Sequence, residues 1–166
     1  MTAGFTIREA RPEDLPAIAV IFRAIVAAGE TYAYPEDLDD DGIRRLWMAG
    51  APGRCVVAED PGGGVLGSAS MGPNRPGRGS HVATASFMVD PGAQGRGVGR
   101  ALGVEMLRWA EAEGYHAAQF NAVVETNTAA VHLWQSLGFQ IIGTVPEAYD
   151  HARHGRVGLH IMYRRL

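Results

Sequence analysis

The chain has 166 residues, 22 of them glycine, a net charge of −3 and no lysine: all 15 basic residues are arginine. Its length suits one domain, 1–166, with a core of its own. The missing lysine excludes P-loop, kinase-lysine and Schiff-base chemistry, and the single cysteine, Cys55, excludes an internal disulfide or a Cys-rich zinc site. A pI of about 6.0 argues against nucleic acid as a partner. The apolar run Leu15–Phe22 is too short for a membrane span of ~20 residues, and the N-terminus lacks a signal-peptide core, so a cytoplasmic location is expected.

In chain order, Phe5–Ala10 reads as a short strand. Pro12, Glu13 and Asp14 open a helix in which Leu15, Ile18, Ala19, Phe22, Ile25 and Val26 form an apolar stripe, and Gly29 stops it. A loop carrying Thr31, Tyr32 and Tyr34 leads through an acidic run to a second helix around Ile43–Ala49. Arg54–Glu59 and Val65–Met71 flank Asp60-Pro-Gly-Gly-Gly64 and read as a hairpin. Cys55 lies in the first of these strands and is read as a buried, inert thiol. Gly72–Ser80 is a polar loop, and His81–Asp90 a longer strand. A helix from Val98 to Glu113, a strand Ala117–Val124, a helix Ala129–Leu137 and strands Phe139–Val145 and Gly158–Tyr163 complete the order. The alternation of strands and helices at the centre is an α/β arrangement.

Four glycines fall within Gly92-Ala-Gln-Gly-Arg-Gly-Val-Gly99, between a predicted strand and a predicted helix. Such a junction presents unpaired backbone N–H groups at the positive end of a helix dipole, and glycine lets an anion approach them closely. Arg96 and Arg100 add positive charge, so the physical inference is a phosphate site, with a ligand-free glycine turn as the alternative. The dinucleotide fingerprint fails, because the position that should hold its last glycine is Arg100 or Leu102.

The segment Val89-Asp-Pro-Gly-Ala-Gln-Gly-Arg-Gly-Val-Gly-Arg-Ala-Leu102 resembles the acyl-CoA signature of the GNAT N-acetyltransferase superfamily, and Asn127-x-x-Ala130-x-x-Leu133-Trp134-x-x-x-Gly138-Phe139 is similar to its second signature. The resemblance implies a mixed, mostly antiparallel sheet whose two central parallel strands splay apart, flanked by helices. It implies acetyl-CoA as co-substrate and no metal. The coenzyme A pyrophosphate would rest on Gly95, Arg96, Gly97, Val98, Gly99 and Arg100, the pantetheine arm on the backbone of Phe87, Met88 and Val89, and the thioester near Asn127 and Trp134. More narrowly, Pro73-Asn74-x-Pro76-Gly77-x-Gly79-Ser80-His81 and Phe120-Asn121-x-x-Val124-x-x-Asn127 resemble the proline-analogue acetyltransferases of fungi. That likeness implies a small-molecule amine, an amino acid or analogue, held by Asn74 and Asn121 with Tyr32 nearby. Asn74 also suits a turn and Asn127 a helix cap, whereas Asn121 sits inside an apolar strand where an amide needs a partner.

Many members of the superfamily carry Tyr at the position of Trp134, where it is proposed to protonate the departing thiolate; an indole is no practical acid. Tyr149 is the alternative acid if its loop folds over the site. Glu125, which ends a strand just before Asn127, is the first candidate base, and His81 the second; either also reads as an ordinary surface residue. A protein N-terminal or lysine acetyltransferase and a non-catalytic acyl-CoA sensor are the competing functions. A homodimer is the expectation for the superfamily.

Overall fold

The computed structural model describes residues 4–166. Strand β1 (Thr6–Glu9) leads through a 3-10 turn (Pro12–Asp14) into helix α1 (Leu15–Ala28). Helix α2 (Asp40–Trp47) follows, then strands β2 (Arg54–Glu59), β3 (Val65–Pro73) and β4 (Val82–Val89). Helix α3 (Val98–Ala112), strand β5 (Ala117–Val124), helix α4 (Thr128–Ser136) and strands β6 (Gln140–His151) and β7 (Gly155–Arg165) complete the chain. Asp39 caps α2 by accepting the Gly42 N–H, and Gly29 ends α1 in the left-handed conformation at φ 64°.

The seven strands form one sheet in the order β1-β2-β3-β4-β5-β7-β6. Every neighbouring pair is antiparallel except β4 and β5. Those two pair only at Val82↔Ala117 and Ala83↔Ala118. Beyond that point they diverge, which is the splayed parallel pair the sequence resemblance implies. The strand edges facing the gap are therefore left without a ladder partner, and something else must satisfy them.

Strand alternation sorts the core into two layers. Val57, Cys55 and Met88 face α1 and α2, where they meet Ile18, Phe22, Ile43 and Trp47. Val56, Ala69, Ala118 and Phe120 face α3 and α4, where they meet Leu102, Met106 and Trp134. Cys55 is buried beside Ser68, and burial pushes its thiol up to about 11, so it is poorly suited to nucleophilic attack.

The largest departure from the sequence reading is at the end of the chain. The expected strand ends at Val145 and restarts at Gly158; instead β6 runs on to His151 and β7 begins at Gly155. The register slips between Val145 and Tyr149, and Glu147 takes a positive φ of 52°. This irregularity absorbs Pro146, which has no N–H for a ladder and reads locally as a strand terminator. Tyr149 consequently lies on a strand rather than on a mobile loop, paired with Val157.

Candidate active site

The glycine-rich segment folds as a backbone cradle. Asp90 Oδ1 accepts the Gly92 N–H at 2.7 Å and the Asp90 carbonyl accepts the Ala93 N–H at 2.8 Å, turning the chain away from β4. Gly95 and Gly97 then take φ values of 77° and 81°, a region L side chains rarely enter. Gly97 is the residue capping α3, and it offers no side chain to the free N–H groups of the first turn. A Cβ at Gly95 or Gly97 would meet nothing within 4 Å, so the space over these groups is open. Val98 roots the turn in the core at 1% exposure. Arg100 Nη1 donates to Ser136 Oγ at 2.8 Å, tying α3 to α4, while Arg96 is exposed at the loop.

The gap between β4 and β5 opens into a cavity of about 830 Å³. Phe87, Met88, Val89, Gln94, Asn121, Asn127 and Trp134 border it, and so do Tyr32, Tyr34, Tyr149 and His151. The three consecutive β4 residues present different faces. Asp90 N–H donates to the Leu66 carbonyl on β3, so by alternation the backbone of Met88 also faces β3 while that of Phe87 and Val89 faces the gap. Phe87 already has a partner there: the Tyr32 hydroxyl donates to its carbonyl at 2.6 Å and accepts its N–H at 2.7 Å. Thus, of the expected pantetheine-pairing backbone at Phe87, Met88 and Val89, Val89 alone faces the gap without Tyr32 on it. Tyr32 itself is at φ 60°, stacked on Tyr34 and edge-on to Trp47, and burial raises its phenol well above the ordinary value.

Asn127 is the cap of α4 and also borders the cavity. Its Oδ1 accepts the Ala130 N–H at 3.3 Å as the cap of α4, while the residue borders the cavity with its Nδ2 still available. Trp134 is buried among Phe87, Phe120 and Phe139, with ring centroids 4.6, 4.9 and 6.4 Å away. That packing depends on Gly103, where a Cβ would come within 2.9 Å of the indole. Asn121 Nδ2 donates to Asn74 Oδ1 at 2.7 Å, and its own Oδ1 accepts from Gln119 at 2.9 Å. Asn121 is thus an exposed cavity-wall residue steadied by Asn74, not an amide immersed in an apolar strand.

Three expected catalytic or substrate residues do not border the cavity: Glu125, His81 and Asn74, the last reaching its wall only through the bond to Asn121. Glu125 turns its carboxylate to β7 and accepts the Gly158 N–H, beside a glycine whose added Cβ would lie 3.0 Å from that carboxyl carbon. This bond satisfies an amide where the β5–β7 register is irregular, and it holds the Glu125 carboxylate on the β7 side. His81 stands at the other end of β4, next to His116 with ring centroids 6.3 Å apart, and borders a separate shallow pocket with Trp109 and Tyr115. Neither Glu125 nor His81, each expected as a base, borders the cavity. Tyr149 is buried and borders the cavity; burial, with a smaller contribution from Glu30, raises its phenol above the ordinary value and keeps it a hydrogen-bond donor.

The sequence reading missed one wall of this cavity. Glu30 at the end of α1 pairs with Arg153, and His151 and His154 lie beside them on the β6–β7 turn. The one advance signal was the spacing His151-x-x-His154, which reads more readily as a weak metal motif.

Residues 19–139 match the acetyltransferase (GNAT) family. Among curated proteins, the chain is 34% identical over 149 residues to the L-methionine sulfoximine/L-methionine sulfone acetyltransferase of Pseudomonas aeruginosa, covering 86% of this chain and 84% of that protein. It is also 34% identical over 98 residues to the N-acetyltransferase aca1 of Schizosaccharomyces pombe, covering 59% of this chain but only 47% of that protein. Among solved structures, a GCN5-related N-acetyltransferase from Kribbella flavida superposes with a TM-score of 0.96 at 60% identity, covering 98% of both chains. A phosphinothricin acetyltransferase from Sinorhizobium meliloti, solved in complex with acetyl-CoA, superposes with a TM-score of 0.88 at 26% identity, covering 98% of this chain and 89% of that one. With its two signature segments on either side of the splayed strands, the chain belongs to the GNAT acetyltransferase family.

Proposed function

We propose that this chain is an acetyl-CoA-dependent N-acetyltransferase acting on the amine of a small molecule, an amino acid or analogue. The observation that carries the reading is the cavity in the gap between β4 and β5, bordered by Pro91 and Gln94 of the glycine-rich segment, with the left-handed Gly95 and Gly97 next along the chain. The cradle has the free N–H groups and open space a pyrophosphate needs, and Val89 offers its backbone along the gap, so these residues fit coenzyme A. Acetyl-CoA supplies the activated acyl group as a thioester. Asn127, fixed by its cap bond through Oδ1, directs Nδ2 to the thioester carbonyl, where a preorganised donor is worth most.

Among the described residues, the one carboxylate bordering the cavity, Glu30, is paired with Arg153. That favours an acceptor needing little help to lose its proton. Neutralising an α-amino group at pH 7 costs about 1 kcal/mol, against about 4.6 kcal/mol for a lysine side chain. Trp134 packs in the aromatic cluster and supplies no acid, but release of a thiolate at pH 7 costs only about 2 kcal/mol relative to the thiol. Tyr149 is the protonated donor nearest in kind to an acid. The exposed β6 edge, with Ile141, Ile142 and Val145, is the surface we assign to a homodimer.

A thiol-release assay with acetyl-CoA across a panel of free amino acids, simple amines and lysine peptides tests the reading. Turnover is expected with amino acids or their analogues. Turnover confined to peptides makes the enzyme a protein acetyltransferase, and tight coenzyme A binding without any turnover makes it a sensor.

A further inference from the structure

The β6–β7 turn brings His151, Arg153 and His154 to one wall of the cavity, opposite no counterpart acid except the paired Glu30. His151 is 6% exposed. Its Nδ1 accepts the backbone N–H of Arg153 at 3.1 Å. A neutral imidazole whose Nδ1 is an acceptor carries its hydrogen on Nε2, so the nitrogen left over is a donor. Among the described residues no group accepts from it. The His154 ring lies against the His151 ring, with centroids 4.5 Å apart. The Arg153 guanidinium keeps further donors beyond those used by Glu30. The wall is therefore rich in N–H donors, and its one carboxylate is already occupied. The same tautomer argues against His151 as the base that takes the amine's proton, because its lone pair is used by the Arg153 amide.

We infer that His151, supported by Arg153 and His154, forms the subsite for the carboxylate of an α-amino acid acceptor, a reading that rests on the proposed N-acetyltransferase activity. A planar carboxylate accepts from the Nε2–H of His151 and from Arg153 together. Held there, the acceptor has its ammonium end directed away from the donors of this wall. Selectivity for free amino acids over their amides then comes from the turn, and Asn121, steadied by Asn74, serves the rest of the acceptor.

The test compares L-methionine sulfone with its primary amide as acceptors. In the native enzyme the acid is expected to be the better substrate by kcat/KM. His151→Phe keeps an aromatic ring and removes the donor; it is expected to lower that preference about 10- to 100-fold, through KM rather than kcat. His151→Gln returns an N–H donor and is expected to restore most of the preference, and Arg153→Gln to lower it by a smaller factor. Equal losses on acid and amide in both His151→Phe and Arg153→Gln would overturn the assignment and leave the turn a structural element. A second measurement does not depend on turnover. N-acetyl-L-methionine sulfone is titrated into the enzyme–coenzyme A complex while the histidine ring signals are followed by NMR, with His151 assigned by its loss in His151→Gln. Its signals are expected to move with the acid and stay with the amide; no movement with the acid would overturn the subsite. Absence of turnover with every amine would instead sink the acetyltransferase reading, and the NMR titration would still decide the subsite.

Discussion

The two ends of the cavity are built by opposite strategies. The end proposed for the cofactor is one continuous stretch, Asp90–Arg100, shaped by backbone turns and left-handed glycines. The end proposed for the acceptor is assembled from side chains on remote segments: Tyr32 before α2, Asn121 on β5, and Tyr149, His151 and Arg153 at the β6–β7 turn. A backbone site is general, since it recognises a phosphate common to every acyl-CoA; a side-chain site is changed by single substitutions. On the proposed function, the reaction type resides in one end and acceptor choice in the other.

Gly97→Glu should break the cofactor end most severely. The new Cβ has room, so the damage comes from the φ of 81° and from a carboxylate beside the anion cradle. Coenzyme A affinity by calorimetry is expected to fall about 100-fold or more. Retained binding would mean that the pyrophosphate lies elsewhere.

Asn127 joins the two ends, and two substitutions separate its duties. Asn127→Asp keeps an acceptor for the Ala130 N–H but loses the amide donor; turnover is expected to drop at least ~10-fold with little change in thermal stability. Asn127→Ala is expected to show the same kinetic loss plus about 1 kcal/mol of destabilisation. Unchanged turnover in both would reduce Asn127 to a helix cap.

Tyr32→Phe asks which end owns Phe87. Removing the hydroxyl orphans the N–H and carbonyl it serves, with an expected loss of about 1–3 kcal/mol in chemical denaturation. Coenzyme A affinity is expected to stay within about threefold, because Val89 carries the arm; a tightening near tenfold would assign Phe87 to the cofactor. The smallest effect is expected from Glu125→Gln, which preserves an acceptor for Gly158. Its kcat/KM should stay within about threefold with an unchanged pH profile, whereas a lost general base would cost about 100-fold or more.

These differences also explain what the sequence disclosed. The cradle was legible because its determinants are contiguous and its glycines have local reasons to be there. The element order was legible from apolar spacing, apart from the extension of β6 past Pro146, where a local strand-breaking signal is overruled by a bulge and by pairing with β7. Pairings across the sheet are separated along the chain by distances no local pattern encodes: Tyr32 and Phe87, at the cavity, by 55 positions, and Glu125 and Gly158, away from it, by 33. Glu125 looked catalytic because it adjoins Asn127. The glycine that receives its carboxylate is visible only once β5 and β7 are paired.

The β6–β7 turn is seated on the end of α1, where the Ala152 N–H donates to the Gly29 carbonyl at 2.9 Å and the Ala152 methyl lies 2.9 Å from where a Gly29 Cβ would be. The single amide of Ala152 is thus a clock for the acceptor wall: its hydrogen exchanges with solvent only when the turn lifts from the helix. An acceptor held between His151 and the floor of the cavity should slow that clock, whereas coenzyme A alone, bound at the far cradle, should leave it running at its own rate.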